Sequence, residues 1–305
     1  MSLVVVGSVA YDGVETPYGR RERMLGGACT YVALAARYFT EVGIVAVVGE
    51  DFDRADQQFL EARGIDLTGL ARAPGKTFFW SGVYSEDMND RTTLRTDLNV
   101  FADFHPVLPA SYRSCPYLFL GNIQPELQRL VRAQMHQPRL VGGDTMNYWI
   151  QSRRQELLSA LAEWNVLLIN DSEARMLSGE RNLRRAADII RRMGPRILVI
   201  KRGEYGAVLF ADGDPFLAPG YPLENVCDPT GAGDCFAGGF IGYLAERGLA
   251  PEDASSEPQE LRRAVVYGSV LGSFCCEQFG VDRFRTLTRA EIDARFQEFK
   301  ALTAF

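Results

Sequence analysis

The sequence predicts an α/β fold built on a mainly parallel sheet, and two observations carry that prediction. The first is a set of short runs of Val, Ile and Leu that are apolar on both faces, as expected of parallel strands covered by helices on either side. In chain order these runs span residues 3–9, 42–49, 117–123, 140–144, 166–171, 197–203 and 206–212. The second is the helical spacing of apolar residues between them, in residues 27–39, 53–64, 125–135, 152–164 and 182–193. Strands that alternate with helices indicate helices packed on a common sheet.

One region breaks this alternation. Residues 74–104 are rich in aromatic and β-branched side chains, with a strand-like alternation from Thr77 to Tyr84 and a turn-like stretch after it. We expect a hairpin there, and residues 10–23 are expected to supply neighbouring strands. The predicted organisation is a core domain of residues 1–9, 24–73 and 105–305, with a small β lid of residues 10–23 and 74–104 over the carboxyl edge of the main sheet.

Composition excludes several classes of function. The chain has 305 residues, 47% of them hydrophobic and 24% charged, with a formal net charge of -6. Binding of nucleic acid or an anionic membrane would need an excess of clustered Lys and Arg. The start of the sequence has no basic segment before its short apolar run, so we expect a cytoplasmic protein. The two histidines, His105 and His136, lie in no metal or triad spacing.

The segment DPTGAGDCFAGGF, residues 228–240, carries the strongest chemical pattern. Pro229 disfavours helix at the residue before it, and an apolar helical pattern begins at Ala232. Gly231 and Gly233 therefore lie at a helix N-terminus, where unpaired N–H groups without neighbouring side chains form a cradle for an anion such as a phosphoryl group.

Asp234 stands beside this anion cradle, where a carboxylate would repel a bound phosphate. Its position is reasonable if it takes a proton from a hydroxyl group that attacks the phosphate. The alternative is a first-turn acid favoured by the helix dipole beside a tight glycine turn, and the segment alone leaves both open. The chain has no G-x-x-x-x-G-K-[ST], and no G-x-G-x-x-G follows the first strand, so neither a P-loop nor a dinucleotide site is predicted.

Taken with two further elements, the segment resembles the C-terminal signature of the PfkB, or ribokinase-like, family of sugar and nucleoside kinases. Gly26-Gly27, in MLGGACTYVALAA, are similar to the family's N-terminal glycine pair, although a helix-entry turn would explain them as well. Asn170 and Glu173 are similar to the family's N-x-x-E motif, although a capping turn is the alternative there. The resemblance extends over nearly the whole chain and implies a three-layer α/β/α sandwich with a small β-sheet lid.

The resemblance also implies roles for individual residues. Asp234 is expected to be the catalytic base, with an anion hole at Gly231, Ala232 and Gly233. Asp12, Gly26 and Gly27 are expected to bind the substrate, although an Asp-Gly turn would also explain Asp12. The nucleotide is expected at Asn170, Glu173, Lys201, Gly203 and Thr230, although a solvated cation at a strand end would explain Lys201 as well. Glu173 is expected to hold Mg²⁺ through water, and Asp228 to order its loop around a monovalent cation such as K⁺.

The sequence departs from the family pattern at two places. Many sugar kinases carry an Asn four residues after the second glycine, where this chain has Tyr31. The segment that begins at Asp144 lacks the Arg of the Asp-x-Asn-x-Arg pattern found in relatives. Tyr31, Phe78 and Trp80 offer aromatic surface to a base or to the apolar face of a sugar. The alternative for Phe78 and Trp80 is packing inside the lid or at a dimer interface.

The resulting hypothesis is an ATP- and Mg²⁺-dependent kinase that phosphorylates a primary hydroxyl group of a small sugar. One alternative is a ribonucleoside kinase with an acceptor like adenosine, inosine or cytidine. A second alternative is a non-catalytic ligand-binding relative. An exposed face of the lid is expected to pair with a second copy of the chain, which predicts a homodimer.

Overall fold

The computed structural model describes residues 1–253 and 257–304. Nine strands form the main sheet: β1 Leu3–Val6, β4 Val42–Val48, β5 Ile65–Arg72, β8 Tyr117–Leu120, β9 Leu140–Gly143, β10 Val166–Asn170, β11 Ile197–Lys201, β12 Ala207–Phe210 and β13 Phe216–Ala218. Their order is β13-β12-β11-β10-β9-β8-β1-β4-β5. The strands from β11 to β5 are parallel, and β12 and β13 add two antiparallel pairings at one edge.

Ten α-helices with given bounds accompany the sheet in the described part of the chain. They are α1 Ala28–Ala36, α2 Arg54–Ala62, α3 Pro125–Gln134, α4 Asn147–Ser152, α5 Arg154–Leu161, α6 Asp171–Ser178, α7 Leu183–Arg191, α8 Ala232–Glu246, α9 Pro258–Cys275 and α10 Arg289–Leu302. Alternate residues of β1 enter two different apolar cores. Leu3 and Val5 join α1, α2, α8, α9 and α10, whereas Val4 and Val6 join α3 to α7.

This arrangement is a three-layer α/β/α sandwich, and it confirms the predicted fold class. The continuous apolar runs of the sequence are strands buried on both faces. Several elements were not predicted, namely the half-exposed edge strand β5, the three-residue strand β13 and the helices α4, α6, α9 and α10. Residues 152–164, predicted as one helix, instead begin at the end of α4 and continue into a separate helix, α5.

A second sheet, the predicted lid, contains β2 Ala10–Thr16, β3 Gly19–Gly26, β6 Phe78–Tyr84 and β7 Arg91–Asp97 in the order β3-β2-β6-β7. The two outer pairings are antiparallel, and the central pairing of β2 with β6 is parallel. At the start of β6 the sheet is tied to the core, because Thr77 donates from its N–H and hydroxyl groups to Asp51 Oδ1, both at 2.7 Å. The predicted boundaries between core and lid stay a prediction.

The apolar segments of the described residues fall within these layers. None of the helices there is both long enough and apolar enough to cross a bilayer.

Candidate active site

Two predicted site residues, Asn170 and Lys201, lie where parallel strands of the core end, and Asp144 lies beside them. Asp144 follows β9, Asn170 ends β10 and Lys201 ends β11, so the three meet at the carboxyl edge of the sheet. Ligands of open α/β sheets bind at this edge. The loop before α8 reaches the same place, since the Lys201 ammonium group donates to Gly233 O at 3.3 Å.

The loop before α8 is fixed by the buried Asp228. Its carboxylate is fully buried and accepts two backbone N–H groups, that of Thr230 at 2.9 Å on Oδ1 and that of Gly280 at 2.9 Å on Oδ2. Burial raises the pKa of Asp228, and the two N–H donors oppose that rise. Asp228 therefore fastens the loop to the segment after α9.

Gly231 begins α8 in the left-handed conformation, with φ of 78°. A Cβ atom added there would lie 2.5 Å from the ring of Tyr31, so this position requires glycine for both its backbone conformation and its contact. Among the described residues, the N–H groups of Gly231 and Gly233 have no acceptor, whereas the Ala232 N–H donates to Pro229 O at 3.1 Å. The helix start thus leaves the two glycine N–H groups for an anion.

Asp234 lies in the first turn of α8 and is partly exposed at the edge of the sheet. Burial raises the pKa of its carboxyl group, and the charges of Lys201 and then Arg91 oppose that rise. A carboxylate with a raised pKa is a stronger base than an exposed one, while two cations keep the ionised form accessible.

Asp12 lies on β2 with a side-chain exposure of 5%. A Cβ atom on Gly26 would lie 2.0 Å from Asp12 Oδ2, so the glycine is what makes room for this carboxyl group. Burial, followed by the charge of Asp228, raises the pKa of Asp12 to about 7, and the Gly27 backbone N–H acts in the opposite direction. The glycine pair therefore forms one unit with Asp12.

Tyr31 packs beneath the loop that begins α8. The side chain is 1% exposed, and its ring lies behind the loop, against Gly231. Its hydroxyl group is buried and has no hydrogen-bond partner among the described residues. Tyr31 therefore supports the anion cradle from below, and direct contact with an acceptor stays a prediction.

Asn170 and Glu173 form a reciprocal capping box at the start of α6. Asn170 Oδ1 accepts the Glu173 N–H at 2.7 Å, and Glu173 Oε2 accepts the Asn170 N–H at 2.8 Å. The two residues therefore cap α6, as the alternative interpretation of the sequence predicted. Burial raises the pKa of Glu173, with Lys201 and Arg91 opposing and Asp234 reinforcing the rise, so the Glu173 carboxylate also belongs to the electrostatics of the site.

Two predicted aromatic residues lie on the second sheet. Phe78 stacks on Phe101 with ring centroids 5.3 Å apart, which agrees with packing inside the lid. Trp80 pairs in register with Asp12 and is only partly buried. The Trp80 indole N–H donates to Thr93 at 3.3 Å. The backbone of Trp80 thus lies beside Asp12, while its indole ring extends toward β7.

The second sheet also contacts two loops of the site, the loop before α8 and the turn after β11. The Thr230 hydroxyl group donates to the Tyr84 hydroxyl oxygen at 3.1 Å. At the tip of the β6–β7 hairpin, the Asn89 amide donates to Glu204 Oε1 at 3.1 Å. Glu204 follows Gly203, which has φ of 58° in the turn after β11. The sheet therefore spans the site from β2 to the turn at 203–205.

Three residues of the site were missed in the sequence. Tyr84 and Arg91 lie on the second sheet. Tyr84 accepts a hydrogen bond from Thr230, and the charge of Arg91 opposes the rise in pKa of Asp12 and Asp234. Asp144, noted only for its motif, has a buried Oδ1 with no partner in the described part of the chain. Burial and then the charge of Asp234 raise its pKa well above the usual range. An arginine in a polar strand carries no spacing signal that distinguishes it from a solvated charge.

A metal ion would find oxygen donors here rather than a complete ligand set. No group of three His, Cys, Asp or Glu side chains in the described residues is arranged to hold a metal. Mg²⁺ commonly uses one or two carboxylates, with waters and substrate phosphates as its other ligands. Glu173 beside the unpartnered Asp144 Oδ1 fits that requirement.

The site has a helix that begins at a glycine and carries a half-buried carboxylate in its first turn. It lies at the carboxyl edge of an α/β/α sandwich, beneath a small sheet. This combination is typical of kinases that act on small-molecule hydroxyl groups. The chain belongs to the pfkB family of carbohydrate kinases, whose profile matches residues 2–286. It is therefore a phosphotransferase with an alcohol group as acceptor.

Among characterised relatives, a cytidine kinase of Thermococcus kodakarensis is 32% identical over 255 residues, which cover 82% of this chain and 91% of the relative. An ATP-dependent ribose-1-phosphate kinase of Halopiger xanaduensis is 23% identical, covering 88% of this chain and 86% of the relative.

Solved structures confirm the ribokinase-like fold. The nucleoside kinase of Methanocaldococcus jannaschii superposes with a TM-score of 0.77 at 18% identity, covering 98% of this chain and 99% of that one. The aminoimidazole riboside kinase of Salmonella enterica, complexed with aminoimidazole riboside and an ATP analogue, gives a TM-score of 0.73 at 21% identity, covering 97% and 100% of the two chains.

Proposed function

We propose that this kinase transfers the γ-phosphate of ATP to the primary hydroxyl group of a ribonucleoside. The sequence favoured a small sugar and kept a nucleoside as the alternative. The observation that carries the nucleoside is the 32% identity to a cytidine kinase over 82% of this chain. The relative that acts on ribose 1-phosphate is only 23% identical. A riboside and an ATP analogue bound in a kinase of the same fold support ATP as the donor.

Asp234 is the proposed general base. Its carboxylate takes the proton of the attacking hydroxyl group as the bond to phosphorus forms, and its raised pKa makes that transfer more favourable. The negative charge that develops on the transferred phosphoryl group is stabilised by the N–H groups of Gly231 and Gly233 at the start of α8. The N–H of Ala232, which already has an acceptor, contributes through the helix dipole alone.

Asp12 is the proposed anchor of the acceptor. Its carboxylate accepts hydrogen bonds from hydroxyl groups of the ribose. The glycines at 26 and 27 have no side chains, so the ribose can approach the backbone beside Asp12. Trp80 offers a face for the base, because it lies in register with Asp12 on the second sheet. Phe78 contributes by packing within the lid through its stack on Phe101.

The nucleotide is proposed to lie along Lys201, Gly203 and Thr230, with the Lys201 ammonium group as a point charge for its phosphates. Mg²⁺ would be held through water by Glu173, within the capping box with Asn170, and would neutralise phosphate charge when bound. A monovalent cation at Asp228 remains a proposal, since both carboxylate oxygens already accept N–H groups.

Release of ADP with a panel of acceptors tests the proposal. Cytidine, uridine, adenosine and inosine are compared with ribose, fructose and ribose 1-phosphate, and 5′-deoxycytidine is the matched control without the primary hydroxyl group. Turnover with a ribonucleoside and none with its 5′-deoxy form is expected. Turnover with free sugars alone would overturn the nucleoside proposal, and turnover with no acceptor would favour the non-catalytic alternative.

The Asp234→Asn variant tests the mechanism separately. We expect kcat to fall by about 10²–10⁴-fold, as for loss of a general base, while ATP binding measured by calorimetry changes little. Activity close to that of the unmodified enzyme would refute Asp234 as the base. The homodimer through the second sheet is also a proposal, checked by analytical ultracentrifugation, in which a monomer at all concentrations would contradict it.

A further inference from the structure

Arg91, the first residue of β7, is a cation of the second sheet that faces the site. In register, Arg91 is paired with Tyr84, whose hydroxyl group is hydrogen-bonded to Thr230 in the loop before α8. The guanidinium carbon also lies 5.8 Å from the centroid of the Trp80 ring. These contacts place Arg91 on the same face of the second sheet as Tyr84, which meets the loop before α8.

The charge of Arg91 reaches three carboxyl groups with different proposed roles. At Asp12, Glu173 and Asp234, burial raises the pKa, and Arg91 acts against that rise at each of them. Asp12 belongs to the acceptor side, Glu173 to the nucleotide side, and Asp234 lies between them. A cation that acts on all three lies close to the path along which a phosphoryl group would pass.

Arg91 is not committed to a carboxylate partner. No Asp or Glu oxygen of the described residues lies within 4.0 Å of its guanidinium group. Arg95, further along the same strand, differs on this point, since it forms an ion pair with Asp97 and lies 5.2 Å from the ring of Phe79. The strand pairing is irregular between these positions, which places Arg95 opposite Ser81 instead of on the face of Tyr84. Arg91 is hydrogen-bonded to the neutral Tyr84 hydroxyl group and has no carboxylate partner among the described residues. A guanidinium group in this state beside an anion cradle is suited to a phosphate, which it binds with two parallel hydrogen bonds.

We propose that Arg91 is a catalytic residue that binds the transferred phosphoryl group from the second sheet, opposite the N–H groups of Gly231 and Gly233. This inference rests on the proposed kinase reaction and adds a residue to it. The core then supplies one half of the phosphoryl site and the sheet supplies the other, so the site is complete only when the sheet covers it. Arg91 stabilises negative charge on the oxygens of the phosphoryl group, and the proton of the acceptor still goes to Asp234.

Kinetics of Arg91→Ala, Arg91→Lys and the matched control Arg95→Ala test the proposal. For Arg91→Ala we expect kcat to fall by about 100-fold or more, with KM for ATP and acceptor changed by less than about threefold. Arg91→Lys keeps the charge but loses the planar fork, so its kcat is expected between the two. Added guanidinium ion should partly restore turnover by Arg91→Ala, whereas Arg95→Ala should keep its turnover.

A binding measurement gives a readout that does not depend on turnover. ADP with aluminium fluoride and a nucleoside mimics the phosphoryl group in transfer, and Arg91→Ala should bind this combination far more weakly while binding ADP alone as before. If Arg91→Ala turns over as fast as the unmodified enzyme, the role of Arg91 is refuted. An effect only on the KM of a phosphorylated acceptor would refute it as well. If the unmodified enzyme phosphorylates no acceptor, the proposed function fails first, and this inference with it.

Discussion

Replacement of Asp12 by Asn should change how stability depends on pH. The Asp12 carboxyl group is buried, and its pKa is raised from 3.8 to about 7. The folded protein therefore binds a proton at Asp12 that the unfolded chain has already lost between these two pH values. Stability of the unmodified protein is consequently reduced as pH rises from about 4 to about 7, and the full penalty is present above pH 7.

The size of the effect follows from the shift. A rise of about 3 pH units at about 1.4 kcal/mol per unit corresponds to about 4 kcal/mol of lost stability above pH 7. Asn cannot ionise, so the Asp12→Asn variant lacks this penalty. The amide group beside Gly26 also changes the unfolding free energy of the variant by an amount that does not depend on pH. The difference in unfolding free energy between variant and unmodified protein should therefore increase in favour of the variant from pH 5 to pH 8.

Urea unfolding at pH 5, 6, 7 and 8 measures this difference. The exposed Asp188 on α7 provides the control, because Asp188→Asn makes the same chemical change away from buried carboxylates. A difference between Asp12→Asn and the unmodified protein that stays constant over this pH range would refute the assignment of a strongly raised pKa to Asp12. Acceptor phosphorylation should be nearly lost in the same variant, whatever its stability.

Three further predictions concern the loops around the phosphate. Gly231→Ala forces a Cβ into the ring of Tyr31 at a positive φ, so we expect a loss of about 1–3 kcal/mol in urea unfolding together with a lower kcat; unchanged stability and rate would contradict the geometry of the cradle. Asn170→Ala removes the cap of α6 and should lower stability by about 1 kcal/mol and raise KM for Mg-ATP. The control Asn182→Ala removes the cap of α7 and should lower stability alone. Equal kinetics of the two variants would exclude a nucleotide role for Asn170. Tyr31→Phe removes a buried hydroxyl group that has no partner among the described residues, so stability should stay equal or rise by up to about 1 kcal/mol. A clear loss of stability would show that the hydroxyl group has a partner in the free protein. A raised acceptor KM would show that it contacts the substrate.

The sequence predicted the parts of the fold that depend on local pattern. Strands such as β1 and β10 are apolar on both faces and are recognisable as such, and DPTGAGD carries its own helix start. The edge strand β5, with residues IDLTGLAR, is half-exposed and has no continuous apolar run, so pattern alone did not reveal it. The apolar pattern at 152–164 also did not predict that α4 and α5 meet at Arg153, which has non-helical φ and ψ angles.

The positions of the site residues depended on contacts between distant segments. Asp12 was predicted, but its packing against Gly26 and its raised pKa arise from a strand pairing and from Asp228, far along the chain. The contact of Tyr31 with the acceptor stays a prediction, but its position behind Gly231 could not be read from the sequence, because it depends on the packing of α1 against α8. Arg91 was not predicted, since an irregularity in strand pairing decides which face of β7 its side chain occupies.

Two hydrogen bonds join the second sheet to the loops around the site, Tyr84 with Thr230 and Asn89 with Glu204. Together such hydrogen bonds contribute only about 1–3 kcal/mol. Displacement of the hairpin tip away from these loops is therefore opposed weakly at this end of the sheet. The start of β6 has its own attachment, because Thr77 donates twice to Asp51, so the hairpin tip can be displaced without loss of that contact.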